Sequence, residues 1–371
     1  MTAPSDEADL YVGLMSGTSL DGVDAVLARF SNAGTLQLIN THYLPYPDSL
    51  REQLLALHTA QPNELHLAAC MANDLARLYA EAVLAVLGQQ PAGQIRAIGC
   101  HGQTLRHRPA DGYSLQIGNA ALLAELTGIS VVSDFRNRDI AAGGQGAPLV
   151  PAFHAHVLRQ PECHRVIANI GGIANVTDLP IDGSVRGWDT GPGNMLLDGW
   201  INRHRGERYD RGGTWAASGK IQPDVLAALL AHDYLLTPPP KSAGREQFNL
   251  EWLDTILANF SHALLPEDVQ ASLLEFTAIS LCDAVKRECG GVQEIYVCGG
   301  GAHNALLMQR IQRHLPGLRV GTTTDLGIDP DWVEALAFAW LARQTQHGQP
   351  GNLPSVTGAR GNRILGAIYP A

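Results

Sequence analysis

No stretch of this 371-residue chain reaches the roughly eighteen consecutive apolar residues of a membrane span. The first nine residues are polar and acidic and hold no apolar segment of signal-peptide type. Cys70, Cys100, Cys163, Cys282, Cys289 and Cys298 form no C-x-x-C pair, and several stand in apolar stretches, so they read as free thiols of a reducing cytoplasm. A basic stripe is also missing. The formal net charge is −10 and the pI about 5.7, which argues against nucleic acid as a partner. The single Gly-Lys pair, Gly219-Lys220, runs into Ile221, so there is no P-loop. A nucleophile elbow would need G-x-S-x-G, but Gly13-Leu14-Met15-Ser16-Gly17 is off by one. A Rossmann fingerprint fails where Gly299-Gly300-Gly301-Ala302-His303 meets Asn304. His154, His156, Cys163 and His164 fit no standard zinc spacing and read as a chance grouping.

What is present is an ordinary globular composition, 45% hydrophobic and 17% charged, long enough for two domains. The division expected is an N-terminal lobe over 1–150, with 350–371 packing back on it, and a C-terminal lobe over 151–349. The 39 glycines cluster in short loops, as in α/β enzymes whose backbone approaches a ligand closely.

The most informative run is Gly13 to Asp24, G-L-M-S-G-T-S-L-D-G-V-D, between two apolar strands. Its turn holds Ser16, Gly17, Thr18, Ser19, Leu20, Asp21 and Gly22, followed by Val23 and Asp24. Small residues there offer hydroxyls and backbone N–H groups to an anion. A carboxylate beside phosphate calls for Mg²⁺ or its water shell between them. The same residues also suit an ordinary tight turn. A second hairpin of this kind opens at Arg165, with Gly171, Gly172 and Asn175 in and after its turn. Two halves that each begin on a Gly-rich hairpin suggest an internal duplication, with a cleft between the halves for the phosphates.

Periodicity predicts a long helix over 64–87, a strand over 95–99 ending at Cys100-His101-Gly102-Gln103-Thr104, and a helix over 120–127. The segment 133–139 reads as a polar loop. Helices are expected over 223–232, 250–260, 266–289, 303–315 and 330–346, a closing strand near 364–368, and a loop or lid over 238–246. Gly299, Gly300 and Gly301, between a strand and a helix that includes Asn304, would admit a phosphate or a flat ligand.

These motifs together resemble the anhydro-N-acetylmuramic acid kinase family of the sugar kinase, heat-shock and actin ATPase superfamily. The resemblance covers about Tyr11 to Ile368. It rests on the run at 13–24, C-H-G-Q-T at 100–104, D-F-R-N-R-D-I-A-A-G-G-Q-G-A-P-L at 134–149, N-I-G-G-I-A-N-V-T at 169–177, D-T-G-P-G-N at 189–194, P-P-K-S-A-G-R-E at 239–246 and C-G-G-G-A-H-N at 298–304. Ala243 stands where the family pattern leads one to expect Thr.

The resemblance implies a two-lobed actin-like ATPase fold of α/β class, with duplicated ribonuclease-H-like domains and an interdomain cleft. It implies ATP and Mg²⁺ as cofactors, a homodimer, and a role in peptidoglycan recycling. Such enzymes take 1,6-anhydro-N-acetylmuramic acid, ATP and water to N-acetylmuramic acid 6-phosphate and ADP. Asp189 matches the family's catalytic Asp and would be the general base for water; as a residue before a tight turn it also suits an Asx-turn. The hairpin residues, Gly17 to Asp24 with Gly171, Gly172 and Asn175, would hold phosphates, and Asp21 would meet the metal through water. Gly299, Gly300, Gly301 and Asn304 would take the adenosine or its α-phosphate. Gln103, Thr104, Arg136 or Arg138, and Glu334 are candidates for the sugar, an Arg suiting the lactyl carboxylate by bidentate pairing. Two rivals stand beside this reading: a kinase for another amino sugar, in which Asp189 would deprotonate a hydroxyl, and an actin-like ATPase switch.

Overall fold

Two mixed sheets, each opened by a Gly-rich hairpin, organise the chain. The computed structural model describes residues 9–17, 19–31, 35–244, 247–261 and 263–371. Thr18 therefore lies outside the described residues. The first unit holds β1 (Asp9–Met15), β2 (Gly22–Phe30), β3 (Leu36–Pro45), β4 (Ile95–Cys100), β5 (Gln103–Arg108), β6 (Tyr113–Ile117) and β7 (Val131–Ser133). The second holds β8 (Arg165–Ile170), β9 (Ile173–Leu179), β10 (Arg186–Pro192), β11 (Glu294–Cys298) and β12 (Arg319–Thr322). The chain then returns to the first sheet through β13 (Ala367–Tyr369).

The sheet orders are β13-β7-β4-β1-β2-β3 and β10-β9-β8-β11-β12, with β5 and β6 as a separate pair. The runs β3-β2-β1-β4-β7 and β10-β9-β8-β11-β12 share both order and strand direction. Two antiparallel contacts are followed by two parallel ones in each. This is the duplication that the two hairpins announce. Each unit has its own apolar core, one around Val12, Leu14, Leu75 and Ile98, the other around Val166, Trp188, Phe248 and Phe276.

The units comprise Met1–Leu158 with Trp332–Ala371, and Arg159–Asp331. The sequence-based division placed residues up to 349 in the second lobe, whereas the helix Val333–Gln346 packs on the first sheet. Two glycines explain this. A Cβ on Gly13 of β1 would overlap the carbonyl oxygen of Ala335, and one on Gly99 of β4 would overlap that of Phe338. The helix thus rests directly on strand backbone, and Ala335, Ala339 and Ala342 keep its facing side small. The returning chain is also pinned by Asp139, which is fully buried. Asn352 Nδ2 and Thr357 Oγ1 donate to Asp139 Oδ1 at 2.7 and 2.8 Å, and the Gly146 N–H donates to Oδ2 at 2.8 Å.

The segment read as a polar loop over 133–139 is a helix over Phe135–Ala141. Phe135 and Ile140 are buried, and they anchor a turn whose other side chains are polar. The helices Glu64–Leu87 and Ala120–Thr127 match the periodicity. Among the described residues no helix is long and apolar enough to cross a membrane.

Candidate functional site

In the first unit, the hairpin between β1 and β2 is held from below by the segment that follows β4. Ser16 Oγ donates to Gly102 O at 3.0 Å and lies 2.8 Å from Tyr79 Oη. Gln103 is fully buried and its Nε2 donates to Gly17 O at 3.0 Å. Leu20 has a φ of 57°, a left-handed residue that turns its side chain into the core. Above this floor Ser19 Oγ donates to Asp21 Oδ1 at 2.8 Å, and Asp21 is exposed.

Beside the same segment stands Arg136, on the helix Phe135–Ala141. Its guanidinium donates to Gly146 O at 2.8 Å and to His101 Nε2 at 2.9 Å. An arginine can only donate, so His101 Nε2 must accept, and Nδ1–H donates to Ser16 O at 3.0 Å. Burial, reinforced by Arg136, pushes the His101 imidazole down to about 3. The ring is therefore neutral. Burial pulls Arg136 down to about 10, with Glu334 opposing, which leaves it a cation at neutral pH. Glu334 reaches this unit because its helix does. Arg138 is exposed, some 200° around the helix from Arg136, and does not join the group. Thr104 Oγ1 accepts from Gln116 Nε2 at 3.1 Å. Gln103 and Thr104 are thus held inside this hydrogen-bonded group, and Arg136 is its cation.

In the second unit three polar residues line up across neighbouring strands. Asn175 of β9 stands opposite Asn169 of β8 and opposite Asp189 of β10. Directly opposed residues of antiparallel strands share a face. Just past Asp189 the register shifts, with Asn175 facing Asp189 and Ala174 facing Gly191. Thr190 is the extra residue of this bulge, and its Oγ1 bonds Ala174 O at 3.2 Å. Such a bulge re-aims the neighbouring side chain.

The turn of the second hairpin is braced on its carbonyl side. Gly193 N–H donates to Gly172 O at 2.9 Å, and Asn194 N–H to Gly171 O at 2.8 Å. In a trans peptide the N–H points opposite to the C=O. With the Gly171 carbonyl turned toward Asn194, the Gly172 N–H points away from it. A Cβ on Gly193 would overlap Gly171 O, so this approach requires glycine. Gly299 has a φ of +75° and leaves space that a Cβ would take from Asn169 Oδ1. That buried oxygen has no hydrogen-bond partner among the described residues. Gly300 and Gly301 begin a single 3₁₀ turn, and Asn304 caps the next helix by accepting from Leu307 N–H at 3.1 Å.

Asp189 of β10 is partly exposed, and the distant loop over 234–243 holds it. The Ala243 N–H donates to Oδ2 at 2.9 Å. Tyr234 Oη donates to the Asp189 carbonyl at 2.8 Å, and the Asp189 N–H donates to Lys241 O at 3.2 Å. Burial pushes the carboxyl up to about 6, with the Ala243 N–H and the Lys241 charge working the other way. A carboxylate with that affinity for a proton is matched to general-base work near neutral pH.

A family model described as anhydro-N-acetylmuramic acid kinase matches residues 9–371. The chain belongs to this family. It is 71% identical over 368 residues to the anhydro-N-acetylmuramic acid kinase of Thiobacillus denitrificans, covering 99% of each chain. It is 56% identical to that of Nitrosospira multiformis, covering 98% of this chain and all of the relative. Among solved structures, component A of the (R)-2-hydroxyglutaryl-CoA dehydratase of Acidaminococcus fermentans aligns with a TM-score of 0.50 at 12% identity. The alignment covers 89% of this chain and 96% of that one, a likeness of fold alone.

Within this anhydro-N-acetylmuramic acid kinase family chain, Ala243 serves Asp189 through its backbone. Any residue but proline supplies that N–H. Ala243→Thr is expected to leave turnover within about twofold, and Ala243→Pro to cost about tenfold or more through the lost bond to a charged group; steady-state rates decide. Sequence reasoning did not single out His101, Asn169 or Tyr234. The first two stand inside motifs already noted, where a buried polar residue beside glycines was the available signal.

Among the described residues no group of three or more His, Cys, Asp or Glu could hold a metal. His154 is buried in the helix Val150–Val157, and His164 Nε2 bonds Asp178 Oδ1 at 2.6 Å.

Proposed function

We propose that this chain is an ATP-dependent kinase that opens 1,6-anhydro-N-acetylmuramic acid with water and phosphorylates the freed 6-oxygen. The products are N-acetylmuramic acid 6-phosphate and ADP, in cell-wall recycling. The observation that carries the mechanism is Asp189, a carboxylate re-aimed by a bulge, fixed by three backbone-linked contacts and raised to about 6. Asp189 takes a proton from water as the water attacks the anomeric carbon. The bond from that carbon to the bridging oxygen breaks, and the oxygen takes the γ-phosphoryl group. This attack resembles that of an inverting glycosidase, with phosphoryl capture in place of full protonation of the leaving oxygen. Arg136 pairs with the lactyl carboxylate, and Glu334, Gln103 and Thr104 complete its surroundings.

The hairpin amides near Gly17 and Gly172 position the phosphates, and Gly299 to Gly301 flank the nucleoside. Mg²⁺, which neutralises phosphate charge when bound, fits one exposed carboxylate acting through water better than an all-protein cage. Asp21 supplies that carboxylate. We place the enzyme in the cytoplasm as a homodimer; free cysteines among the described residues support the first.

The direct test is turnover of the anhydro sugar with ATP and Mg²⁺ in ¹⁸O-water. One ¹⁸O at the anomeric hydroxyl of the 6-phosphate, read before mutarotation exchanges it, is the expected product. Phosphorylation of an ordinary amino sugar with none of the anhydro sugar would overturn the reading. A pH profile adds an independent check. A base must be ionised to accept a proton, so kcat/KM should fall tenfold per unit below about pH 6 and level off above it. A flat profile down to pH 4.5 would remove Asp189 from this role.

A further inference from the structure

The loop from Tyr234 to Ala243 holds more than one contact to Asp189, and its two ends are joined by a cation. Lys241 Nζ donates to Tyr234 O at 2.9 Å, reaches Leu235 O at 3.4 Å, and lies 4.4 Å from the centre of the Tyr234 ring. Arg287 Nη2 donates to the same Leu235 carbonyl at 3.0 Å. Tyr234 in turn packs edge-on against the fully buried Phe248, with ring centres 5.8 Å apart. The result is a closed circuit. Tyr234 Oη holds the Asp189 carbonyl, Lys241 O holds the Asp189 N–H, and the Lys241 ammonium binds the backbone and ring of Tyr234 itself.

We propose that Tyr234 and Lys241 are positioning residues that clamp Asp189, fixing its backbone on both sides of the side chain and lending it a nearby positive charge. The proposal rests on the reading of Asp189 as the base. Lys241 is a cation at neutral pH: burial and then Arg287 pull it down to about 8, while Glu288 and Asp189 hold it up. Those are the charged groups facing it, and Tyr234 is the titratable group whose ring lies against its ammonium. The same charge lowers the proton affinity of Asp189, against the burial that raises it. Removing the ammonium should therefore move the Asp189 titration upward, an effect that a purely structural residue would not produce.

The test is steady-state kinetics and pH profiles of Tyr234→Phe, Lys241→Met and Lys241→Arg. Tyr234→Phe removes one oxygen and one hydrogen bond; kcat should fall about tenfold with KM for sugar and ATP within twofold. Lys241→Met should lower kcat by a similar factor or more, and its acid limb should rise by about one pH unit. Lys241→Arg keeps the charge and should return the acid limb to its original place. Unchanged kcat in Tyr234→Phe, or an unmoved acid limb in Lys241→Met, would overturn the clamp. If Lys241→Met fails to fold, Tyr234→Phe decides alone. Failure of the underlying reading looks different: Asp189→Asn would then remain active and the unsubstituted enzyme would lack an acid limb.

Discussion

Asp189→Asn should bind ATP as tightly as the unsubstituted chain and turn over about 10²–10⁴-fold more slowly. Asparagine has nearly the same shape, and its amide oxygen can still accept from the Ala243 N–H. Tyr234 and Lys241 bond its backbone, which the substitution leaves alone. What disappears is a group able to take a proton from water. The loss should therefore appear in kcat, with the nucleotide dissociation constant, measured by calorimetry, unchanged. A variant within tenfold of full activity would show that another group activates the water.

Gly13→Ala should cost about 3 kcal/mol or more of stability, although it adds a single methyl to a buried strand. The methyl would overlap the carbonyl oxygen of Ala335 and stand 2.9 Å from the Ala339 nitrogen. Both are backbone atoms of a buried helix, so no side chain can rotate away. The helix Val333–Gln346 would have to lift from β1, exposing Leu336, Phe338 and their neighbours. Gly93→Ala is the control, because nothing lies within 4 Å of the place its methyl would take and the backbone there suits any residue. Urea unfolding of both variants decides. A cost below about 1 kcal/mol for Gly13→Ala would mean that the helix adjusts freely.

Much of this molecule could be read locally. The two hairpins show themselves by glycines and small or polar residues between apolar strands, and the helix Glu64–Leu87 by its period. Asp189 stood out through its motif. What could not be read depends on contacts distant in sequence. Tyr234 meets Asp189 across 45 positions and Ala243 across 54, and nothing in the Pro-rich loop indicates which strand it will hold. The helix Phe135–Ala141 is too short for periodicity to be decisive, and its polar residues are what a loop also carries. The return of Val333–Gln346 to the first sheet is written in Gly13 and Gly99, but only as an absence of side chains, which a turn or bulge would explain equally well.

That return has a consequence for how the chain is made. The ribosome delivers β1 and β4 early, yet the helix that covers their glycine-bearing face is among the last segments to emerge. Residues 159–331 include every strand of their own sheet, and they can complete their core while the earlier unit still waits. The first-made part is thus the last to be finished, with an apolar sheet face uncovered through most of synthesis. Contacts this distant in sequence close slowly, and an uncovered face is where a nascent chain associates wrongly. For this protein, a chain cut short before residue 346 should lose the unit that was translated first.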